Sequence, residues 1–123
     1  MGAGYSVEAM RDAELTYTES PGLREGSAVL KLEGPLTLSN IFALQKDLRA
    51  MQPKRLIVDL SETPYMDSAG LGLLMNYYVS AGSHDRSMAL VGVNERIGAL
   101  LEMTRLDKVL EVFPTVEAAD GVS

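Results

Sequence analysis

Among the residues able to do chemistry, one group sits at a structural transition: Asp67-Ser68-Ala69-Gly70-Leu71-Gly72, which follows the apolar run Leu56-Ile57-Val58 and a loop containing Pro64. That order predicts a buried parallel strand, apolar on both faces, that delivers Ser68 to the start of a helix. At a helix start the backbone N–H groups are unpaired and the macrodipole is positive. A hydroxyl there can cap the helix, and a phosphate there is tolerated. Ser68 is therefore a candidate for reversible modification.

Other chemistries lack their parts. A nucleophilic serine needs the turn Gly-x-Ser-x-Gly, but Met66 stands at the first glycine position and only Gly70 matches the second. The single histidine, His84, lies in the polar stretch Gly82-Ser83-His84-Asp85, the composition of a solvated loop. One histidine and scattered carboxylates give no zinc or calcium spacing, and Gly70 with Gly72 forms neither a dinucleotide-binding nor a P-loop pattern. Asp59 at a strand end, followed by Pro64, Asp67 and Gly70, superficially resembles a receiver domain's phosphoacceptor loop. A receiver also needs an acidic pair after its first strand to hold magnesium and a lysine after its last. Ser20-Pro21-Gly22 and Val112-Phe113-Pro114 supply neither. Asp59 reads instead as a strand-end residue that caps the loop backbone. The expectation is a chain that is not an enzyme, with no cofactor and no metal.

The 123 residues fit one domain, and 46% hydrophobic with 23% charged residues is ordinary for a globular protein. A net charge of -6 opposes binding to phosphate backbones, so nucleic acid is not an expected partner. No apolar run is long enough to span a membrane and no leader pattern opens the chain, which sets the expectation of no membrane insertion and a cytoplasmic location. Cysteine is absent, so disulfides and thiolate sites are excluded. Met1-Gly2-Ala3-Gly4-Tyr5-Ser6 matches a loose myristoylation pattern, yet it reads better as a Gly-rich tail.

Elements that would position Ser68 follow from hydrophobic periodicity. Leu15 and Tyr17 alternate within 14–19, and Ala28, Leu30 and Leu32 alternate in the next run, which predicts an antiparallel pair around a loop with Pro21, Gly22 and Gly26. Leu38, Ile41, Leu44, Leu48 and Met51 then recur at helical spacing, with Thr37 or Ser39 as cap and Pro53 beyond the end. Strand Met88 to Val93 follows the Ser68 helix. Asn94 caps a helix with Ile97, Leu100, Leu101 and Thr104 on one face. Glu111 to Phe113 and a terminal helix Val116 to Ala119, capped by Thr115, complete the chain. The fold class is α/β: a single domain over 12–119 with a mixed, mostly parallel sheet of about five strands and about four helices. Residues 1–11 and 120–123 read as flexible termini.

On the Ser68 helix, Leu71, Leu74, Met75, Tyr78 and Ala81 gather on the predicted core face, opposite a small and polar stripe of Ala69, Gly72, Asn76 and Ser80. Leu73 and Tyr77 flank that stripe. Gly72 inside a helix costs ~1 kcal/mol relative to alanine, a loss easiest to understand if another backbone approaches there. This marks the stripe as a docking face.

With these elements in place, VDLSETPYMDSAGLGLL together with ALVGVNERIGALLEMTRLDKVLEVFP resembles a STAS domain of the anti-sigma-factor antagonist family. The resemblance implies that Ser68 is phosphorylated by a partner anti-sigma factor that is itself a serine kinase. A serine phosphatase would reverse the step, and the unphosphorylated form would bind the anti-sigma factor and free a sigma factor for transcription. The implied binding residues are Thr37, Asp67, Ala69, Gly70, Gly72, Leu73, Asn76 and Tyr77. Where many members carry an aspartate after the second strand, this chain has Gly34-Pro35-Leu36-Thr37, and Arg105 stands where a helix-ending glycine is common. If the second strand and the Ser68 strand are parallel neighbours, Thr37 reaches the same sheet edge as Ser68. Related STAS domains also act as phosphorylation-independent scaffolds or as interaction subunits of stress-sensing and lipid-transport complexes, the alternative reading.

Overall fold

Alternating burial builds the sheet, which the computed structural model describes within residues 15–121. Strand β1 (Thr16–Pro21) pairs antiparallel with β2 (Ser27–Glu33). β2, β3 (Arg55–Glu62), β4 (Ser87–Val91) and β5 (Glu111–Phe113) are then mutually parallel, in the order β1-β2-β3-β4-β5. Four helices connect and follow these strands: α1 (Ile41–Ala50), α2 (Ser68–Gly82), α3 (Glu95–Met103) and α4 (Val116–Ala119). The architecture is the mixed, mostly parallel α/β sheet anticipated from periodicity.

The two sheet faces are unequal. Ala28, Leu30, Leu32, Leu56, Val58, Leu60, Met88 and Leu90 pack on one face against Ile41, Leu44 and Leu48 of α1, Leu71 and Leu74 of α2, and Ile97 and Leu101 of α3. On the other face Ile57, Ala89 and Val91 meet Ala119 of the short α4. The apolar-on-both-faces pattern of Leu56-Ile57-Val58 thus has its cause in β3 lying between two helical layers. Arg55 ties the amino ends of the strands together: its guanidinium donates to Ala119 O (2.8 Å), Ser87 Oγ (3.0 Å) and Glu111 Oε1 (2.9 Å).

Element ends depart from the periodic reading at four places. β1 runs on to Pro21, which pairs with Ala28 on an edge strand where a missing N–H is harmless. β4 stops at Val91 because Gly92 turns at φ +72°, where a Cβ would stand 2.8 Å from Ser61. α1 begins at Ile41, so Leu38 lies in the preceding turn and is exposed instead of joining the core. Asp120, expected in a flexible terminus, is buried. Its Oδ2 accepts from Leu23 N (2.8 Å), Arg24 N (3.3 Å) and Ser27 Oγ (2.9 Å), which fixes the β1–β2 turn to the end of α4. The Gly-rich leader, the proposed terminus 1–11 and residues 122–123 lie outside the described residues.

Candidate functional site

Parallel pairing of β2 with β3 sends the chain segments after both strands to one sheet edge. There Leu36 and Met66 form a parallel bridge, Leu36 N–H donates to Tyr65 O (3.1 Å), and Asp67 N–H donates back to Leu36 O (3.2 Å). The Asp67 carboxylate then does two jobs. Oδ1 accepts from Gly70 N (3.0 Å) and caps α2, while Oδ2 accepts from Leu38 N (3.1 Å) and holds the segment before α1. Burial pushes the Asp67 pKa up, but the N–H groups of Gly70, Leu38 and Ala69, with its own, outweigh it and the net shift is downward.

From the opposite side, Asn94 caps α3 by accepting from Ile97 N (2.8 Å) and donates Nδ2 to Pro64 O (3.0 Å). Buried Thr63 donates its hydroxyl to Leu32 O (3.2 Å), and the Arg96 guanidinium lies 4.8 Å from the Tyr65 ring centroid. The loop ahead of Ser68 is thereby braced from β2 and from α3.

Ser68 is the first residue of α2 and is exposed; its hydroxyl makes no hydrogen bond among the described residues. Asn76 and Ser80 are exposed further along, and Ala69 and Gly72 are partly so. A Cβ built on Gly72 meets nothing within 4 Å, so no backbone among the described residues accounts for the glycine. Thr37 lies at the same edge, next to the Leu38 that bonds Asp67. Its hydroxyl is 3.0 Å from Ser39 Oγ, and neither caps α1. Asn40 occupies the cap position, with its side chain turned back to accept from Thr37 N (2.9 Å) and donate to Pro35 O (2.7 Å).

Three of the residues implied as partner contacts, Gly70 and the two that flank the stripe, face inward instead. Gly70 is buried, and a Cβ on it would stand 2.3 Å from Leu36 O, so this is the glycine that a close backbone approach demands. Leu73 and Tyr77 are both core residues. The Tyr77 hydroxyl donates to Met51 O (2.9 Å), and burial pushes the phenol pKa up against the lowering effect of Arg86. α2 packs on α1 as well as on the sheet, which widens its buried arc by the sector that holds these two residues. Met75 and Tyr78, expected in the core, are pushed to partial burial at the opposite margin. The exposed face also includes Val79, which 100° per residue places between Ser68 and Gly72; Leu38, bonded to Asp67, and Phe42 in the first turn of α1 are exposed as well. Sequence reasoning placed Leu38 on the core face of the first helix and gave Phe42 and Val79 no face, although helical spacing alone puts Val79 on the Ser68 side.

The STAS domain family model matches residues 16–119. The chain belongs to that family. A protein of Staphylococcus aureus named Anti-sigma-B factor antagonist is 31% identical over 86 residues, spanning 68% of this chain and 80% of its own. The crystal structure of an anti-sigma factor antagonist from Mycobacterium paratuberculosis superposes with a TM-score of 0.76 at 24% identity, covering 85% of this chain and 90% of that one. The Bacillus cell fate determinant SpoIIAA in its phosphorylated form gives a TM-score of 0.68 at 15% identity, covering 88% of this chain and 100% of that one. At these identities the two structures establish a shared STAS fold. No helix among the described residues is long and apolar enough to cross a membrane, and these residues hold no group of three or more His, Asp or Glu able to bind a metal.

Proposed function

We propose that this STAS domain is an anti-sigma-factor antagonist switched at Ser68. Unphosphorylated, it sequesters an anti-sigma factor that is a serine kinase and so frees a sigma factor for transcription. Phosphorylation by that kinase releases the partner, and a serine phosphatase resets the switch. The observation that carries the reading is an exposed Ser68 at the start of α2, with a braced loop behind it and exposed apolar side chains beside it. The antagonist named above in Staphylococcus aureus supports the same role. Contact residues in this reading are Thr37, Asp67, Ala69, Gly72 and Asn76, with Leu38, Phe42 and Val79 as apolar anchors. Gly70, Leu73 and Tyr77 support the face from beneath.

The energetics explain a switch that leaves the domain folded. A phosphoserine adds about -1.5 to -2 charges. Beside the Asp67 carboxylate this costs on the order of 1 kcal/mol at solvent-like dielectric. The α2 macrodipole offsets it by ~0.3 to 1 kcal/mol. In a complex the same group loses its water, and an unpaired buried charge costs several kcal/mol. The penalty falls on the interface.

Incubation with the cognate anti-sigma kinase and ATP, followed by intact-mass measurement and peptide mapping, tests the reading. One phosphate on Ser68 is expected. Ser68→Ala should bind constitutively, and Ser68→Glu should fold yet bind poorly. Phosphate on another residue, or undiminished binding once Ser68 is modified, overturns the switch. Binding without any phosphorylation would favour the scaffold alternative.

A further inference from the structure

Residues of α1 and α2 flank a groove of about 520 Å³, within the range of small-molecule pockets. Its floor is apolar: Leu48 and Leu73 are buried core residues, and the Tyr77 ring lies beside them. Its rim is polar, with Gln45 on one wall and Asn76 and Ser80 on the other. Charge is distributed unevenly around it. Among the described residues, every ionisable side chain that lines it other than Tyr77 is basic, namely Arg49, His84 and Arg86, and none is a carboxylate, although the chain carries a net charge of -6. Glu19 and Asp47 line an adjoining depression that shares Met51 and Gln52 with the groove, and Glu19 is near enough to add to the rise of the Tyr77 pKa.

Arg86 is held in place. Its Nη1 donates to Tyr77 Oη (3.3 Å) and Met51 O (3.4 Å), and its guanidinium lies 5.7 Å from the Tyr77 ring centroid. The described residues offer it no carboxylate, and the fork of a guanidinium has further donors beyond Nη1. Arg49 is exposed at the last turn of α1 and is free to close over a ligand from the other wall.

We infer that this groove binds a small organic carboxylate whose short apolar body lies on Leu48, Leu73 and Tyr77 while its anionic head meets Arg49 and Arg86. A carboxylate matches the guanidinium fork, and the apolar floor distinguishes such a ligand from an inorganic anion. The inference does not depend on phosphorylation of Ser68, which lies outside the groove lining.

Hexanoate serves as the probe, titrated into the 15N-labelled full chain, with hexanol as the body alone and inorganic phosphate as the head alone. Saturable shifts confined to Met51, Leu73, Asn76 and Ser80 amides are expected with hexanoate, at an affinity about tenfold or more above either control, the loss that one missing anchoring contact produces. Arg49→Glu, on an exposed position, should abolish saturation with the melting temperature preserved, and Arg49→Lys should retain it. Asn76→Phe, which obstructs the groove from an exposed site, gives an independent variant with the same expected loss. Linear or scattered shifts with hexanoate, equal binding of hexanol, or full affinity in Arg49→Glu would overturn the proposal.

Discussion

Gly70 and Gly72 stand on opposite flanks of the same helix, and their surroundings differ completely. On the buried flank Gly70 presses against the Leu36 carbonyl, and the same side of α2 goes on through Leu73, Leu74, Tyr77 and Ala81 into the core. On the open flank Gly72 meets nothing within 4 Å, and its neighbours on that side are Ser68, Asn76 and Val79. One flank positions the helix, and in the proposed function the other receives the partner. Variants on the two flanks should therefore separate stability from binding.

Largest is the effect expected for Leu73→Ala, a deletion in the core between α1 and α2. It should cost about 2 to 5 kcal/mol in urea unfolding, the range for a leucine truncated without collapse of its site. A loss under 1 kcal/mol would return Leu73 to the surface. Next comes Gly70→Ala, whose added methyl must displace the Leu36 backbone that bonds Asp67. Overpacking of this kind costs about 1 to 3 kcal/mol. If Gly70→Ala keeps wild-type stability, the two backbones are not in close contact.

Asp67 joins the two flanks, because it caps α2 and also holds the Leu38 backbone. Removing both bonds in Asp67→Ala should cost ~1 kcal/mol at neutral pH, as loss of a helix cap does. The pH dependence has a definite sign. The folded pKa lies below the unfolded value, so the carboxylate's contribution is fully present above about pH 4 and is lost as pH falls through the folded pKa. Asp67→Asn, which keeps a capping oxygen, should retain most of the stability and lose that acid-range slope. Urea midpoints measured from pH 2 to 7 check both statements, and an unchanged slope in Asp67→Asn would assign the acid sensitivity to other carboxylates.

Local order was legible wherever one surface claims a side chain. Ala28, Leu30 and Leu32 alternate because β2 buries one face, and Leu56-Ile57-Val58 does not alternate because β3 buries two. Asn94 and Thr115 cap their helices as their types predict, accepting from Ile97 N and Ala118 N. Arg105 at φ +63° holds the left-handed helix-ending conformation, at the position where the resemblance implied a glycine. Where a third partner intervenes, periodicity is insufficient. A helical wheel cannot tell that α2 leans on α1, so Leu73 and Tyr77 fell on the wrong side of the boundary. Nor does it show that Asn40 turns back to Pro35, or that Asp120 reaches Leu23 across almost the whole chain. In each of these cases the partner is distant in sequence or upstream of the element.

The smallest stability effect comes from Gly72, and it is the one that best tests the open flank. No atom of the described residues obstructs a side chain there, and Gly72 is helical, so Gly72→Ala should raise stability by about 0.5 to 1 kcal/mol through helix propensity and a less flexible unfolded chain. Had glycine been required by the domain's own packing, the sign would be reversed, as it is expected to be at Gly70. The proposed function accounts for the forgone stability by a partner docking there. Gly72→Arg should therefore fold with a melting temperature close to that of the parent chain and block the anti-sigma partner, measured by pull-down of the unphosphorylated protein. Gly72→Ala should bind more weakly than the parent chain despite being more stable. Undiminished binding of a folded Gly72→Arg would mean that the partner approaches elsewhere, and the exposed face of α2 would then need another explanation for its glycine.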